Sequence, residues 1–194
     1  MNQRKSRIVI TVFLGGLVGF CAFFTLGLSP YLKAAAERSD AFHLLGKCVE
    51  IPAGDVLVIE QRGERREIRL IGIEAPRMDG DAELVEQATG LERDPQWVAQ
   101  QGQVSRNTLA AWIYRRGLHV TYPWGEDALD EQGRHWAYAA VAGVDLSRKL
   151  LQGGQVFAKP TDEPHPNAEM YAEMEAQARD RQLGIWRDQT VSLF

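Results

Sequence analysis

Cysteine is scarce in this chain: Cys21 and Cys48 are the two in 194 residues. That excludes a disulfide framework as the source of stability. Cys21 also lies inside a charge-free apolar run, which separates it from Cys48. Internal repeats and low-complexity tracts are absent as well. An excess of positive charge is missing too, since the net charge is −4. Four of the 22 basic residues and none of the 26 acidic ones fall in residues 1–36, which leaves residues 37–194 at −8. A body this acidic is a poor general electrostatic trap for nucleic acid, so any phosphate binding has to be local.

The sequence does contain one long apolar run. Ile8 to Leu28 carries no charge, and Pro30 follows it. Its length suits a bilayer core of about 30 Å at about 1.5 Å per helical residue. Arg4, Lys5 and Arg7 precede it, which places residues 1–7 in the cytoplasm and the rest of the chain outside. Ala34-Ala35-Ala36 offers the competing reading of a signal peptide cleaved near Ala36, with a secreted product. The run exceeds the roughly 7–15 residues of a signal core, which favours an anchor. Bacterial inner membrane with a periplasmic domain is the expected location, with a mitochondrial inner membrane as the alternative. Residues 29–45 then form a linker, 46–188 the folded domain and 189–194 a tail.

The folded part opens with three strand-like segments. "GKCVEI" from Gly46, "DVLVIE" from Asp55 and "EIRLIGI" from Glu67 are separated by Pro52-Ala53-Gly54 and Arg62-Gly63-Glu64, which suit a meander. Met78 to Pro95 is acidic and reads as irregular. Gln96 to Arg116 is periodic at helical spacing, with Gly117 as its cap. His119–Tyr122 and Trp136–Val141 read as two further strands. Asp145 is placed to cap a helix to Gln152, and Asn167 one to Gln182, with Trp186 packing into the core behind it. His165, between prolines, reads as a loop residue, and His135 as pointing away from Arg134. Five short strands with a helix between the third and fourth predict an α+β fold, a small closed Greek-key barrel of OB type.

One strand carries an oddity. "IRLIGIEAPR" sets Arg69 among isoleucines and leucines, and a second arginine, Arg77, follows Pro76. A guanidinium buried there needs a carboxylate, and Asp55 and Glu74 are the candidates. Acids that hold a hard cation and arginines that clamp phosphate oxygens are also what phosphodiester cleavage needs.

The soluble part resembles the staphylococcal nuclease (thermonuclease) family from Gly46 to Trp186. "GDVLVIEQRGERREIRLIGIEAP" is similar to the family's Asp-Gly-Asp-Thr strand, its arginine-bearing strand and its Asp-Thr/Ala-Pro-Glu corner. "DEQGRHWAYAAVAGVDLSRKLLQGGQVF" resembles its Gly-Arg segment, and "YAEMEAQARDRQLGIW" its last helix. The resemblance implies Asp55 and Glu74 as ligands of Ca²⁺, and Arg69 and Arg134 as catalytic phosphate-binding arginines.

The departures are as informative. The family's general base, a glutamate, is Arg77 here. The first aspartate of Asp-Gly-Asp-Thr is Ala53, and its threonine is Val56. The tyrosine and lysine before Gly-Arg are Gln132 and Glu131. The nucleotide-stacking segment reads Val156-Phe157-Ala158-Lys159-Pro160, where Phe157 could stack on a base or pack in the core. Asp79 and Asp81 are the nearby candidates for a replacement base, against a plain reading as a solvated acidic loop.

Two functions are expected from this. The first is a non-catalytic binding or accessory module, joined to subunits of a membrane complex, with Arg69–Asp55 and Arg134–Glu74 as structural ion pairs and no cofactor. The second is an anchored extracytoplasmic nuclease that needs Ca²⁺ and takes DNA or RNA.

Overall fold

β1 (Phe42–Ala53) begins four residues ahead of the strand read from Gly46, within what was expected to be linker. In the computed structural model, residues 42–80, 82–161 and 164–187 are described. The expected membrane helix 8–28, the alanines at 34–36, Asp81 and the tail 189–194 lie outside the described residues. Among the described residues, no helix is long and apolar enough to cross a membrane.

β1 serves two neighbours. Phe42 to Lys47 pairs antiparallel with β5 (Gly117–Tyr122). Lys47 to Ala53 pairs with β2 (Val56–Gln61), with register shifts on both sides of Glu50. Such bulges bend a strand and increase its twist, which lets one long strand turn a barrel corner. β2 pairs with β3 (Glu64–Leu70), β5 pairs with β6 (His135–Val141), and β3 closes onto β6 in parallel through Ile68 to Leu70. The order β3-β2-β1-β5-β6 with the β3–β6 closure is a five-stranded mixed barrel, as the strand count predicts. Leu57, Ile59, Ile68, Leu70, Leu118 and Val120 fill its interior. Cys48 is fully buried in the same core, and burial pushes its thiol up to about 11, so it stays a neutral, inert packing group.

Short elements flank the barrel. β4 (Ile73–Glu74) pairs with β8 (Phe157–Ala158), and β7 (Val144–Asp145) extends β6. α1 (Ala82–Leu91) occupies the stretch expected to be irregular. Its composition hides it, because Leu84 and Ala88 alone are buried, against Val98. α2 (Pro95–Ile113) starts where Asp94 accepts the Gln96 N–H at 2.7 Å and Pro95 takes the first turn. It ends before Gly117, which opens β5 instead of capping the helix. α3 (Leu146–Gln152) has the expected Asp145 cap, which accepts the Arg148 N–H at 2.9 Å. α4 (Ala168–Asp180) lacks a side-chain cap from Asn167. In the 3₁₀ turn Gly184–Trp186 it is Ile185 that is buried, and Trp186 stays partly exposed under the Arg179 guanidinium.

α2 sits unusually close to the two turns that follow β1 and β4. A Cβ on Gly102 would lie 2.4 Å from the Pro76 carbonyl oxygen, and one on Gly54 would lie 2.0 Å from Ser105 Oγ. Bare glycine faces thus set the height of the Asp55 and Glu74–Arg77 segments. His165 lies in the irregular stretch before α4, as expected, and is buried there. It is 8% exposed, lies against Gly72 between Tyr138 and Tyr171, and meets the Tyr138 hydroxyl at 3.0 Å through Nδ1.

Two outcomes follow. Gly102→Ala gains about 1 kcal/mol of helix propensity but meets a backbone oxygen that cannot swing away, so a net loss of about 1–3 kcal/mol is expected in urea unfolding. Burial lowers the His165 pKa below its usual value, so the unfolded chain takes up the proton first. Stability is then complete above about pH 6.5 and falls as the pH drops through the lowered folded value. His165→Gln should flatten that fall in thermal scans between pH 7 and 5. Asp145, raised by burial, acts with the opposite sign and is common to both proteins.

Candidate functional site

Asp55 stands in the turn between β1 and β2 and is 3% exposed. Its Oδ2 accepts the Ala75 N–H at 2.8 Å and forms an ion pair with Arg69 Nη1 at 2.9 Å. Arg69 follows from β3, opposite Val56 in the ladder, and is 7% exposed. Of the two partners expected for Arg69, the structure selects Asp55. The pair ties the β1–β2 turn to β3, and the Ala75 contact ties both to the segment after β4. Arg69 Nε is buried without a hydrogen-bond partner among the described residues.

Arg134 sits in the turn before β6. It does not pair with Glu74, contrary to expectation. Its Nε donates to Asp130 Oδ2 at 2.6 Å, and Nη2 donates to Gln132 Oε1 at 2.9 Å. Asp130 Oδ1 accepts the backbone N–H groups of Gln132 and Arg134, both at 2.9 Å. The turn therefore builds its own carboxylate seat for the arginine. Glu74 is claimed instead by Lys159 Nζ at 2.7 Å. The β4–β8 pairing brings these two together, with Glu74 opposite Phe157.

Arg77 forms an ion pair with Glu83 of α1, and its backbone N–H donates to Gln87 Oε1 at 2.8 Å. The helix missed in the sequence thus holds Arg77 in place. Arg77 Nε is also buried without a partner among the described residues.

Arg69, Glu74, Arg77, Glu83, Asp130, Glu131, Arg134, Trp136 and Lys159 line one cleft of ≈ 330 Å³. Asp55 lies behind it, spent on Arg69 and Ala75. Asp79 is exposed and does not line the cleft, so the structure does not bring it to the arginines. Asp81 is outside the described residues. Phe157 faces a neighbouring cleft of ≈ 380 Å³, edge-on to Trp186 with ring centroids 5.6 Å apart, so it neither fills the core nor flanks the arginines. The aromatic residue that does line the arginine cleft is Trp136, next to Trp124 at 6.3 Å. His135 turns away, as expected, and meets the Glu126 carbonyl at 2.7 Å.

A hard cation such as Ca²⁺ needs six to eight oxygens, several of them anionic. Among the described residues no three His, Cys, Asp or Glu side chains converge to hold a metal. Asp55 is taken by a guanidinium and Glu74 by an ammonium. In this arrangement the carboxylates do not fit a divalent ion. The cleft is lined by four cationic side chains, Arg69, Arg77, Arg134 and Lys159, and four acidic ones, Glu74, Glu83, Asp130 and Glu131. Lys159 and Trp136 escaped the sequence reading because their placement depends on strand pairings that no local pattern reveals.

The two arginines differ in their surroundings, and that yields a measurable contrast. Removing one partner of a buried pair leaves an uncompensated charge, so Arg69→Ala should cost about 3–5 kcal/mol. Asp130 keeps two backbone donors without Arg134, so Arg134→Ala should cost roughly 1–2 kcal/mol. Chemical denaturation of both variants checks the order.

A search of the curated proteins found no match. The staphylococcal nuclease homologue family matches residues 67–188, more than half of the chain, from β3 through the final 3₁₀ turn. With the closed mixed barrel and its flanking helices, that match places this chain in the staphylococcal nuclease family.

Proposed function

We propose that this is a membrane-anchored staphylococcal nuclease-like module that no longer hydrolyses phosphodiesters. Its barrel, expected over residues 46–188, serves as a binding or accessory domain of a membrane assembly, held by a single-pass helix over residues 8–28. The domain faces the periplasmic side of a bacterial inner membrane. The observation that carries this reading is Arg77. It stands where a general base is required, and an arginine cannot accept a proton at working pH. Losing a positioned base removes about 10²–10⁴ in rate. The capture of Asp55 by Arg69 and of Glu74 by Lys159 supports the same reading.

One observation favours a second reading. Arg69 and Arg134 still line a common cleft, and Glu131 there has no ion pair among the described residues. A weak Ca²⁺-dependent phosphodiesterase would use Asp55 and Glu74 for the ion, after both had left their present partners, with an acid such as Glu131 as base.

The test is cleavage of single-stranded DNA, plasmid and RNA by the detergent-purified full chain, in millimolar Ca²⁺ or EDTA, beside Arg134→Ala. The expected outcome is no cleavage above the variant in either condition. Ca²⁺-dependent cleavage that disappears in Arg134→Ala would establish the second reading instead.

A further inference from the structure

β1 reaches past the β2–β3 hairpin. Its ladder with β2 starts at Lys47, opposite Glu60, because β2 then turns into the Arg62-Gly63 tip. Ahead of that point, Phe42 to Gly46 pairs with β5 on one side. Among the described residues, no strand pairs with its other side. The segment is nonetheless held in place. Leu44 is buried in the core, and His43 Nδ1 meets Thr121 Oγ1 of β5 at 3.0 Å. A fixed strand with one bare row of N–H and C=O groups is a template for a further strand. Such edges are ordinarily blunted by charge or proline. "FHLLG" holds no lysine, arginine, acid or proline. Its outward side chain Leu45, opposite His119 of β5, is 59% exposed.

We propose that this edge pairs antiparallel with the same edge of a second copy of the chain, joining two barrels through one continuous sheet. Three observations select a second copy. First, antiparallel pairing of identical strands is generated by a two-fold axis normal to the sheet. One segment then supplies both sides of the contact, and the assembly closes at two. Second, residues 37–194 hold 18 basic against 26 acidic residues, a net charge of −8 that disfavours contact between copies through acidic faces. Phe42–Gly46 bears no acid, and the next charge on β1 is the basic Lys47, so the copies meet where that repulsion is weak. Third, Gly15 and Gly19 stand four apart in the apolar run, a spacing that lets two copies of a helix approach closely. The proposed function places that run in one membrane, which holds the copies in a plane and raises their effective concentration. The pairing goes beyond that function and does not depend on whether the cleft cleaves phosphodiesters. Five residues a side make a small contact, so the pair forms and separates with concentration.

The experiment uses the detergent-purified full chain at rising protein-to-detergent ratio. Sedimentation equilibrium in density-matched detergent gives the protein mass. Amide hydrogen exchange, read by mass spectrometry, gives the protection of Phe42–Gly46. The expected result is a reversible monomer–dimer equilibrium, with exchange over that segment slowing about fivefold or more as the dimer fills. Leu45→Lys sets a cation on each side of the two-fold axis and should weaken the dimer about tenfold or more, restoring fast exchange. Leu45→Val should keep both the dimer and the protection. Leu45 is exposed, so both variants are expected to fold, and their thermal midpoints check it.

A chain that stays monomeric at every ratio would overturn the inference, while the non-catalytic reading, tested by cleavage, would stand. A dimer that Leu45→Lys leaves intact would overturn it as well, since the contact would then lie in the helix or on another face. Full protection of Phe42–Gly46 in the monomer would do the same, because the edge would be covered by the chain's own residues.

Discussion

The Arg69–Asp55 ion pair is the constraint on which the rest of the site depends. Both groups are almost wholly withdrawn from water. A charge so placed is tolerable only with a partner at hydrogen-bond distance and further bonds around it. Asp55 meets that demand on one oxygen, with the Arg69 guanidinium from β3 as its ion-pair partner and the Ala75 N–H after β4 as its donor. Three pieces of chain are thereby locked in register at the barrel mouth: the β1–β2 turn, the end of β3 and the Ala75–Arg77 segment. α2 presses on the same pieces through Gly54 and Gly102, where no side chain intervenes. The electrostatic tie and the close helix seat reinforce each other.

The same tie limits the chemistry. An aspartate committed to a guanidinium and a backbone N–H has little left for a metal ion. Glu74 is paired with Lys159. Glu83 and Asp130 are bound to Arg77 and Arg134. Around this cleft each of these carboxylates has become a holder of a cationic side chain.

Much of the barrel was legible because its signals are local. Alternation in "DVLVIE", the Arg62-Gly63 tip and the apolar spacing of α2 each depend on a few neighbouring residues. The Asp145 cap was readable for the same reason. α1 was not, since its acids and its two buried side chains look like a solvated loop until Val98 of α2 covers them. At the site, the demand of Arg69 for a carboxylate could be read from its neighbours, but the choice of Asp55 over Glu74 could not. That choice follows from the β2–β3 register and the contact with Ala75. The partner of Glu74 was hidden further still, because Lys159 approaches only through the β4–β8 pairing. Arg134 was expected on Glu74 and instead rests on Asp130, four residues back in its own turn.

The central proposal is that Asp55 and Glu74, each paired with a cationic side chain, do not hold a divalent ion. Equilibrium dialysis of the purified full chain against radioactive Ca²⁺ tests it directly, with Lys159→Met beside it. The account predicts no saturable binding to the unmodified protein at millimolar Ca²⁺. Stoichiometric binding that is lost in Asp55→Asn would contradict it, since Asp55 would then have to be free to leave Arg69 for the metal.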